Sequence, residues 1–367
     1  MTLQSPLADS SCLPGSERLP VRHKRKTTVR TTLKHIAEAT NLSVTIVCQV
    51  LNGTKCRISD EKRQLILDTA KAMNYRPNHL AVSLVKGSAN MIGLAISDIR
   101  NDFFSVLAKG AENECQKNNW NLMLCNSNDQ HDQDIENLKM LADKGVSGII
   151  FGMASETTPE MAQECIDFLN REKIPYILVD RYVDSCDGAV ISTDNEAGGY
   201  RATRYLLETG HRNIVCITGP SNLLDSQQRL EGYKRAIRDA GIEPDDKKIV
   251  EGRYTYQSGL EAADRMMRQG ILPDAIFACN DMMAIGAMKR LREKGYRIPE
   301  DISVIGYDDI FMDEFLEVPL TTIRQPTEAM GQAAAEHLIG MQTGRERKND
   351  RIVFQPELVI RQTVISR

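Results

Sequence analysis

Ser43-Val44-Thr45-Ile46-Val47-Cys48-Gln49-Val50-Leu51-Asn52-Gly53 is the stretch whose reading decides the N-terminal fold. A serine that can accept from the free N–H groups of a first turn opens it, and an Asn-Gly stop closes it, so a short helix is expected over 44–51. Val47, Val50 and Leu51 fall on one face, leaving Val44, Thr45, Cys48 and Gln49 on the other. Upstream, Thr32 caps a helix with Leu33, Ile36 and Ala37 as its apolar stripe, and Asn41-Leu42 breaks it. Downstream, Ser59 followed by Asp60 and Glu61 opens a third helix, since acids in a first turn suit the helix dipole. Its expected stripe is Leu65, Ile66, Ala70 and Met73, and Tyr75-Arg76-Pro77 ends it. Three helices with a tight turn between the first two follow the helix-turn-helix plan, in which the second helix lies in the major groove of DNA. Thr45 and Gln49 can hydrogen-bond base edges, Gln49 bidentately to adenine, and Val44 offers a methyl surface to thymine. Ser43 and the N–H groups after it suit a phosphate. A small helical bundle that binds nothing would show the same spacing.

Charge separates these readings. The 367-residue chain has a formal net charge of −4, which on average argues against a polyanion as partner. Residues 1–90, however, carry 14 Lys/Arg against 6 Asp/Glu, and residues 91–367 carry 32 against 44. The basic excess therefore lies with the helices and the acidic excess with the body, as expected if one part alone meets nucleic acid. Residues 1–30 mix Pro, Ser and Gly with the run Arg22-His23-Lys24-Arg25-Lys26 and read as a disordered basic arm. The nine cysteines and six histidines are scattered without metal-ligand spacing, so no metal site is expected. A reducing, cytoplasmic setting fits those thiols, and no apolar run is long enough for a membrane span.

From residue 91 the pattern changes. Short apolar runs at 91–97, 120–125, 148–152, 176–179, 188–191, 214–219, 275–278 and 302–307 alternate with helix-period segments at 104–118, 132–144, 159–172, 195–209, 228–240, 257–269, 281–294 and 326–341. Near-continuous apolar strands between helices predict an α/β body of parallel sheets covered on both faces, and its length predicts two lobes. Ligands of such sheets bind beyond the carboxyl ends of the strands. There the chain places two aromatics with several carboxylates and amides, a set suited to a small polyhydroxylated molecule or a nucleoside.

Thr32-Leu33-Lys34-x-Ile36-Ala37, Leu42-Ser43-x-x-x-Val47-x-x-Val50-Leu51-Asn52-Gly53, Asn74-Tyr75-Arg76-Pro77-Asn78 and Ala81-x-Ser83-Leu84 together resemble the lactose-repressor (LacI/GalR) family of bacterial transcription regulators. The likeness covers about residues 31–367. It implies a helix-turn-helix domain over 31–77, a hinge helix and linker over 78–90, and a body like the periplasmic binding proteins. The first effector-binding subdomain would span 91–191 and 322–367, and the second 192–321. It also implies a palindromic operator bound by a homodimer. Ser43, Val44, Thr45, Cys48, Gln49, Asn52 and Asn78 fall at the DNA, with Ala81 and Leu84 at a minor-groove wedge. The family usually has hydroxyl side chains at 46 and 48 and often Arg at 49, so Ile46, Cys48 and Gln49 point to a different operator.

For the effector, the resemblance implies contacts from Phe103, Phe104, Tyr254 and Asp281, with Arg229 as ligand contact or structural clamp. Asp225 and Gln227 join them from the loop 219–228. Purine-responsive members carry Arg where Leu223 stands, and lactose-responsive ones carry Arg where Gln227 stands. A neutral sugar or glycoside is the expected effector. Neither a G-x-G-x-x-G fingerprint after a strand nor a G-x-x-x-x-G-K-[ST] loop is present, and no catalytic pair is apparent, so no cofactor and no catalysis are expected. A free-standing sugar-binding protein or a sugar-processing enzyme would use the same cleft, and a regulator could answer to a nucleoside instead.

Overall fold

The computed structural model describes residues 31–54, 56–75, 90–183, 186, 188–342, 344–345 and 350–367. Two compact units are separated between residues 78 and 79. The expected arm 1–30 and the DNA-side positions Asn78, Ala81 and Leu84 lie outside the described residues.

The first unit is α1 (Leu33–Thr40), α2 (Val44–Leu51) and α3 (Asp60–Ala72). Thr32 caps α1, and its backbone N–H donates to His35 Nδ1 at 3.3 Å. Asn41 ends the helix in the left-handed conformation (φ 54°), which its short polar side chain tolerates. Ser43 Oγ accepts from Ile46 N, and Ser59 Oγ accepts from Lys62 N. Ile36, Ala37, Val47, Val50, Ile66 and Ala70 close on one another as the core. Leu65, expected in the stripe of α3, is instead 47% exposed. Ile66, Ala70 and Met73 recur at i, i+4 and i+7, and Leu65 lies a helical step of about 100° off that line.

The second unit begins with β1 (Met91–Ile96), α4 (Asp102–Lys117), β2 (Asn121–Asn126), α5 (His131–Asp143), β3 (Gly148–Phe151), α6 (Pro159–Arg171), β4 (Tyr176–Val179) and β5 (Ala189–Thr193). It continues with α7 (Asn195–Glu208), β6 (Ile214–Thr218), α8 (Leu224–Asp239), β7 (Ile249–Glu251), α9 (Tyr256–Arg268), β8 (Ala275–Ala278), α10 (Asp281–Glu293) and β9 (Ser303–Ile305). Then come β10 (Thr322–Arg324), α11 (Thr327–Gln342), β11 (Arg351–Phe354) and β12 (Glu357–Val359). One parallel sheet runs in the order β11-β5-β4-β3-β1-β2, and a second, also parallel, in the order β7-β6-β8-β9. In β3 Ile150 packs with Phe104 and Leu338 on one face, while Ile149 and Phe151 pack with Leu141 and Leu169 on the other. Both faces are covered, which is why the strand is apolar throughout.

The chain crosses between the lobes after β5, again around β10, and a third time in the tail. β11 joins the first sheet, but β12 pairs antiparallel with β10. Beyond it Val304 N donates to Thr363 O, Gln362 N to Pro319 O and Arg367 N to Thr209 O. The last residues therefore pack on the second lobe, correcting the expectation that everything after 321 belongs to the first. Thr363 Oγ1 also bonds Val304 O, so the tail satisfies groups that the short edge strand β9 leaves open.

Asp134, at 0% exposure on α5, accepts Ala154 N at 2.8 Å through one carboxylate oxygen. Burial outweighs that bond and raises its pKa to about 6. A folded-state value above the unfolded one means stability that is present below pH 4 and lost as pH rises through 6. Asp134→Asn is expected to match the native chain at pH 4 and exceed it by about 3 kcal/mol at pH 7, measured by denaturant unfolding at both pH values.

Candidate functional site

On α2 the structure leaves Ser43, Val44 and Thr45 exposed and Cys48, Gln49 and Asn52 half-buried, while Val47 and Val50 are buried. These six polar or small side chains occupy the start and outer face of the second helix, where a groove-reading helix presents its contacts. Cys48 and Asn52 are engaged with each other, Asn52 Nδ2 donating to Cys48 Sγ at 3.2 Å. Ile46 packs against the core side rather than outwards.

In the second unit a cavity of about 20 Å³ lies between the lobes, walled by Asn101, Phe103, Phe104, Asp180, Arg181, Asp225, Arg229, Tyr254, Asn280, Asp308 and Gln325. Phe103 and Phe104 open α4 as an edge-to-face pair, with centroids 5.1 Å apart. They come from the first lobe, as do Asp180 and Arg181 just after β4. Asp225, in the first turn of α8, accepts from the Tyr254 hydroxyl at 2.5 Å. A Cβ on Gly219 would overlap the Tyr254 ring, so this aromatic lies over the strand end only because residue 219 is glycine. A larger cavity of about 580 Å³ adjoins, sharing Phe103, Asp308 and Gln325. That volume is within the range of small-molecule sites.

Two features mark the cleft as built for a ligand. Asp180 Oδ1, Arg181 Nε, Asp225 Oδ1 and Gln325 Oε1 are buried without a hydrogen-bond partner among the described residues, and all four residues line the same small cavity. Buried polar atoms are normally paired, because each one left unmade costs about 1–3 kcal/mol. Asp180 (φ 64°), Tyr254 (φ 57°) and Asp308 (φ 124°) also hold positive φ, a strain that concentrates at functional sites.

Electrostatics favour a neutral guest. Burial, reinforced by the charge of Asp225, raises the Asp180 pKa to about 6. Burial also raises Asp308, against the pull of Arg229. Burial disfavours the charge on Arg181, but Asp129, Asp225 and Asp180 together hold it on. Three acids and two arginines thus share the lining with little net charge to offer an ion.

Arg229 has little reach to spare for a ligand. Its Nε donates to Asn195 Oδ1 at 2.8 Å, and one terminal N–H donates to Cys279 O at 2.7 Å. The guanidinium lies 3.9 Å from the Tyr307 ring centroid and 3.9 Å from Asp308 Oδ1. It borders the cavity and clamps its floor.

Five of the seven residues read from the sequence as effector contacts line this cavity: Phe103, Phe104, Asp225, Arg229 and Tyr254. Two do not. Gln227 is exposed and donates to Ser221 O at 2.8 Å. The helix begins at Leu224, not near 228, so Gln227 stands about 200° around the axis from Asp225. Asp281, the first residue of α10, is 0% exposed and absent from the lining. Its Oδ2 accepts from Asp309 N (2.6 Å) and Ile310 N (3.2 Å), and its Oδ1 from Thr322 Oγ1 (2.6 Å). A Cβ at Gly306 would overlap this carboxylate. Asp281 therefore pins the crossing segment, while its neighbour Asn280 caps α10 through Met283 N and reaches the cavity. Asp180, Arg181, Asn280 and Asp308 were legible only as strand-end positions. Nothing local marks Gln325, which reaches the cleft because the chain crosses lobes there.

A model of the periplasmic binding protein-like domain matches residues 203–364. Over 335 residues the chain is 36% identical to the HTH-type transcriptional repressor PurR of Vibrio atlanticus (strain LGP32), covering 91% of this chain and 98% of that protein. It is 32% identical over 333 residues to the HTH-type transcriptional regulator DegA of Bacillus subtilis (strain 168), with the same coverage. Among solved structures, the lac repressor dimer bound to operator and the anti-inducer ONPF superposes with a TM-score of 0.83 at 25% identity, covering 92% of this chain and all of that one. The complex of the transcriptional regulator CelR with cellobiose gives 0.70 at 28% identity, covering 91% of this chain and all of that one. These relatives are transcription regulators, not enzymes. With a helix-turn-helix in its first unit and a two-lobed cleft in its second, this chain belongs to the lactose-repressor family of DNA-binding transcription regulators.

Proposed function

We propose that the protein is a repressor that binds a palindromic operator as a homodimer and responds to a small neutral sugar or glycoside held between its lobes. The observation that carries the effector reading is the convergence of four unpartnered buried polar atoms on one cavity that also has three aromatic side chains in its wall. Hydroxyl groups both donate and accept, so they satisfy the acids, Arg181 Nε and Gln325 together, while an aromatic face takes the ring. A nucleoside is the second reading, because Phe103, Phe104 and Tyr254 also suit a base. Leu223, apolar and 5% exposed, weighs against it, since purine-responsive members carry Arg there.

The walls come from both lobes, so a ligand with different contacts in open and closed forms shifts the angle between them. The crossings near 191, 320 and 322 then serve as hinges. We infer that this change ties ligand occupancy to operator affinity.

The test is a gel shift on a library of palindromes, with and without panels of sugars and nucleosides. A specific shift modulated by a sugar is expected; no specific shift sinks the repressor reading, and modulation by nucleosides alone replaces the effector. Gln49→Ala is expected to lose about 1–3 kcal/mol, or roughly 5- to 150-fold, on the selected operator and little on random DNA. An equal loss on both would place Gln49 at the phosphates.

A further inference from the structure

The lobes are held to each other by the chain crossings, one of which carries Gln325 into the small cavity, and by two side-chain amides. Asn222, in the loop before α8 of the second lobe, donates through Nδ2 to Ser155 O (3.1 Å) and Thr157 O (3.2 Å) of the first. Gln228 Nε2 donates to the Tyr182 hydroxyl at 3.5 Å. Beside them Leu223 and Leu224 face Met153, Ala154 and Val183 across a void of about 30 Å³. This contact is weakly built. The void forfeits dispersion contacts that a packed core would make, and Thr157 Oγ1 is buried there without a partner among the described residues. Asn222 is exposed, so water competes for its two bonds.

Volume decides what the contact excludes. A water-sized group needs roughly 10–15 Å³ of such free space, so the cavity of about 20 Å³ takes one or two non-hydrogen atoms and no sugar ring. The cavity of about 580 Å³ takes a ring as it stands, but of the four residues whose polar atoms lack partners, it is lined by Gln325 alone. A ring that also satisfies Asp180, Arg181 and Asp225 needs the lobes further apart than Asn222 and Gln228 hold them.

We propose that Asn222, with Leu223 and Gln228, forms a latch that the effector must break, so that occupancy widens the angle between the lobes. The inference rests on the effector reading given above, from which it takes a ring-sized guest, and it adds the direction of the movement. The observed affinity of a guest admitted only by the unlatched form is its intrinsic affinity reduced by the fraction of molecules unlatched. Weakening the latch therefore tightens binding, although Asn222 does not line the small cavity. A guest that drew the lobes together would gain from the latch and lose affinity with it.

The test is calorimetric titration of the full chain and of Asn222→Asp with glucose, galactose, mannose, cellobiose, adenosine and guanosine, beside hydrogen–deuterium exchange of both proteins alone. Aspartate keeps the size of asparagine, loses both donors and sets a charge against two carbonyl oxygens. Each compound that binds the native chain is expected to bind Asn222→Asp about 3- to 10-fold more tightly. Peptides spanning 153–157 and 222–228 are expected to exchange faster in the variant. Thermal unfolding reports that it is folded, and Asn222→Ala, which removes the donors without adding charge, replaces it if it is not. Equal or weaker binding of a sugar would overturn the latch and leave the sugar reading standing. Tightening confined to adenosine or guanosine would remove the sugar reading and leave the latch. If nothing in the panel binds, exchange decides: faster exchange in both segments supports the latch, and unchanged exchange overturns it.

Discussion

Arg229→Met is expected to lower the unfolding free energy of the effector-binding unit by about 3–5 kcal/mol, the usual result of removing one partner from a buried charged network. Methionine nearly conserves the volume, so the loss reads the charge and hydrogen bonds rather than a void. The guanidinium joins Asn195 on α7, the Cys279 carbonyl after β8, the Tyr307 ring and Asp308 at the crossing. Without it the Cys279 carbonyl and Asn195 lose a donor, and Asp308 loses the cation 3.9 Å from its Oδ1. Urea unfolding with the headpiece monitored separately checks this. A variant of native stability that fails only to bind the effector would make Arg229 a ligand contact and not a clamp.

Asp281→Ala is expected to show the second large effect, also about 3–5 kcal/mol. Its carboxylate collects two backbone N–H groups of the turn at 309–310 and the Thr322 hydroxyl, so one side chain holds α10 to that turn and to β10. Asp313, also 0% exposed, has neither carboxyl oxygen paired with a donor and lies within hydrogen-bond reach of Asp281. Burial and the Asp281 charge push its pKa up to about 11, so it keeps its proton and donates to Asp281. Thermal unfolding of Asp281→Ala should fall by several degrees, with effector affinity of the folded protein retained. Native thermal stability with the effector response abolished would return Asp281 to the ligand.

The two cases show where reading along the chain stops. Asp281 follows a strand, opens a helix and sits in a family-like motif, and every local sign directs it at a ligand. Its burial against 309–310 and Thr322 depends on a return of the chain some thirty to forty residues later, which no local pattern encodes. Gln227 lies off the cavity for a smaller reason. A helix start four residues earlier than expected turned it away from Asp225, and Leu223 at the N-cap makes no side-chain bond that would have marked the start. Leu65 is a phase error of the same kind. The aromatic pair 103–104, Tyr254 and Asp225 were legible because they follow strand ends in a parallel sheet, where geometry leaves few alternatives. Gln325 was not, because it reaches the cleft only where the chain crosses between the lobes.

What the residue order determined unaided was the set of parts: a basic helix-turn-helix with its caps, and an acidic α/β body whose apolar periods name, among the described residues, its eight α-helices and eight of its twelve strands. Those features are local, set by period, capping chemistry and charge over spans of ten or so residues. Tertiary structure alone decided which polar atoms are left without partners, which acid holds a crossing and which faces a cavity, and that the tail returns to the second lobe. A buried hydrogen bond is worth what its surroundings leave unpaired, and those surroundings come from residues far apart in the chain.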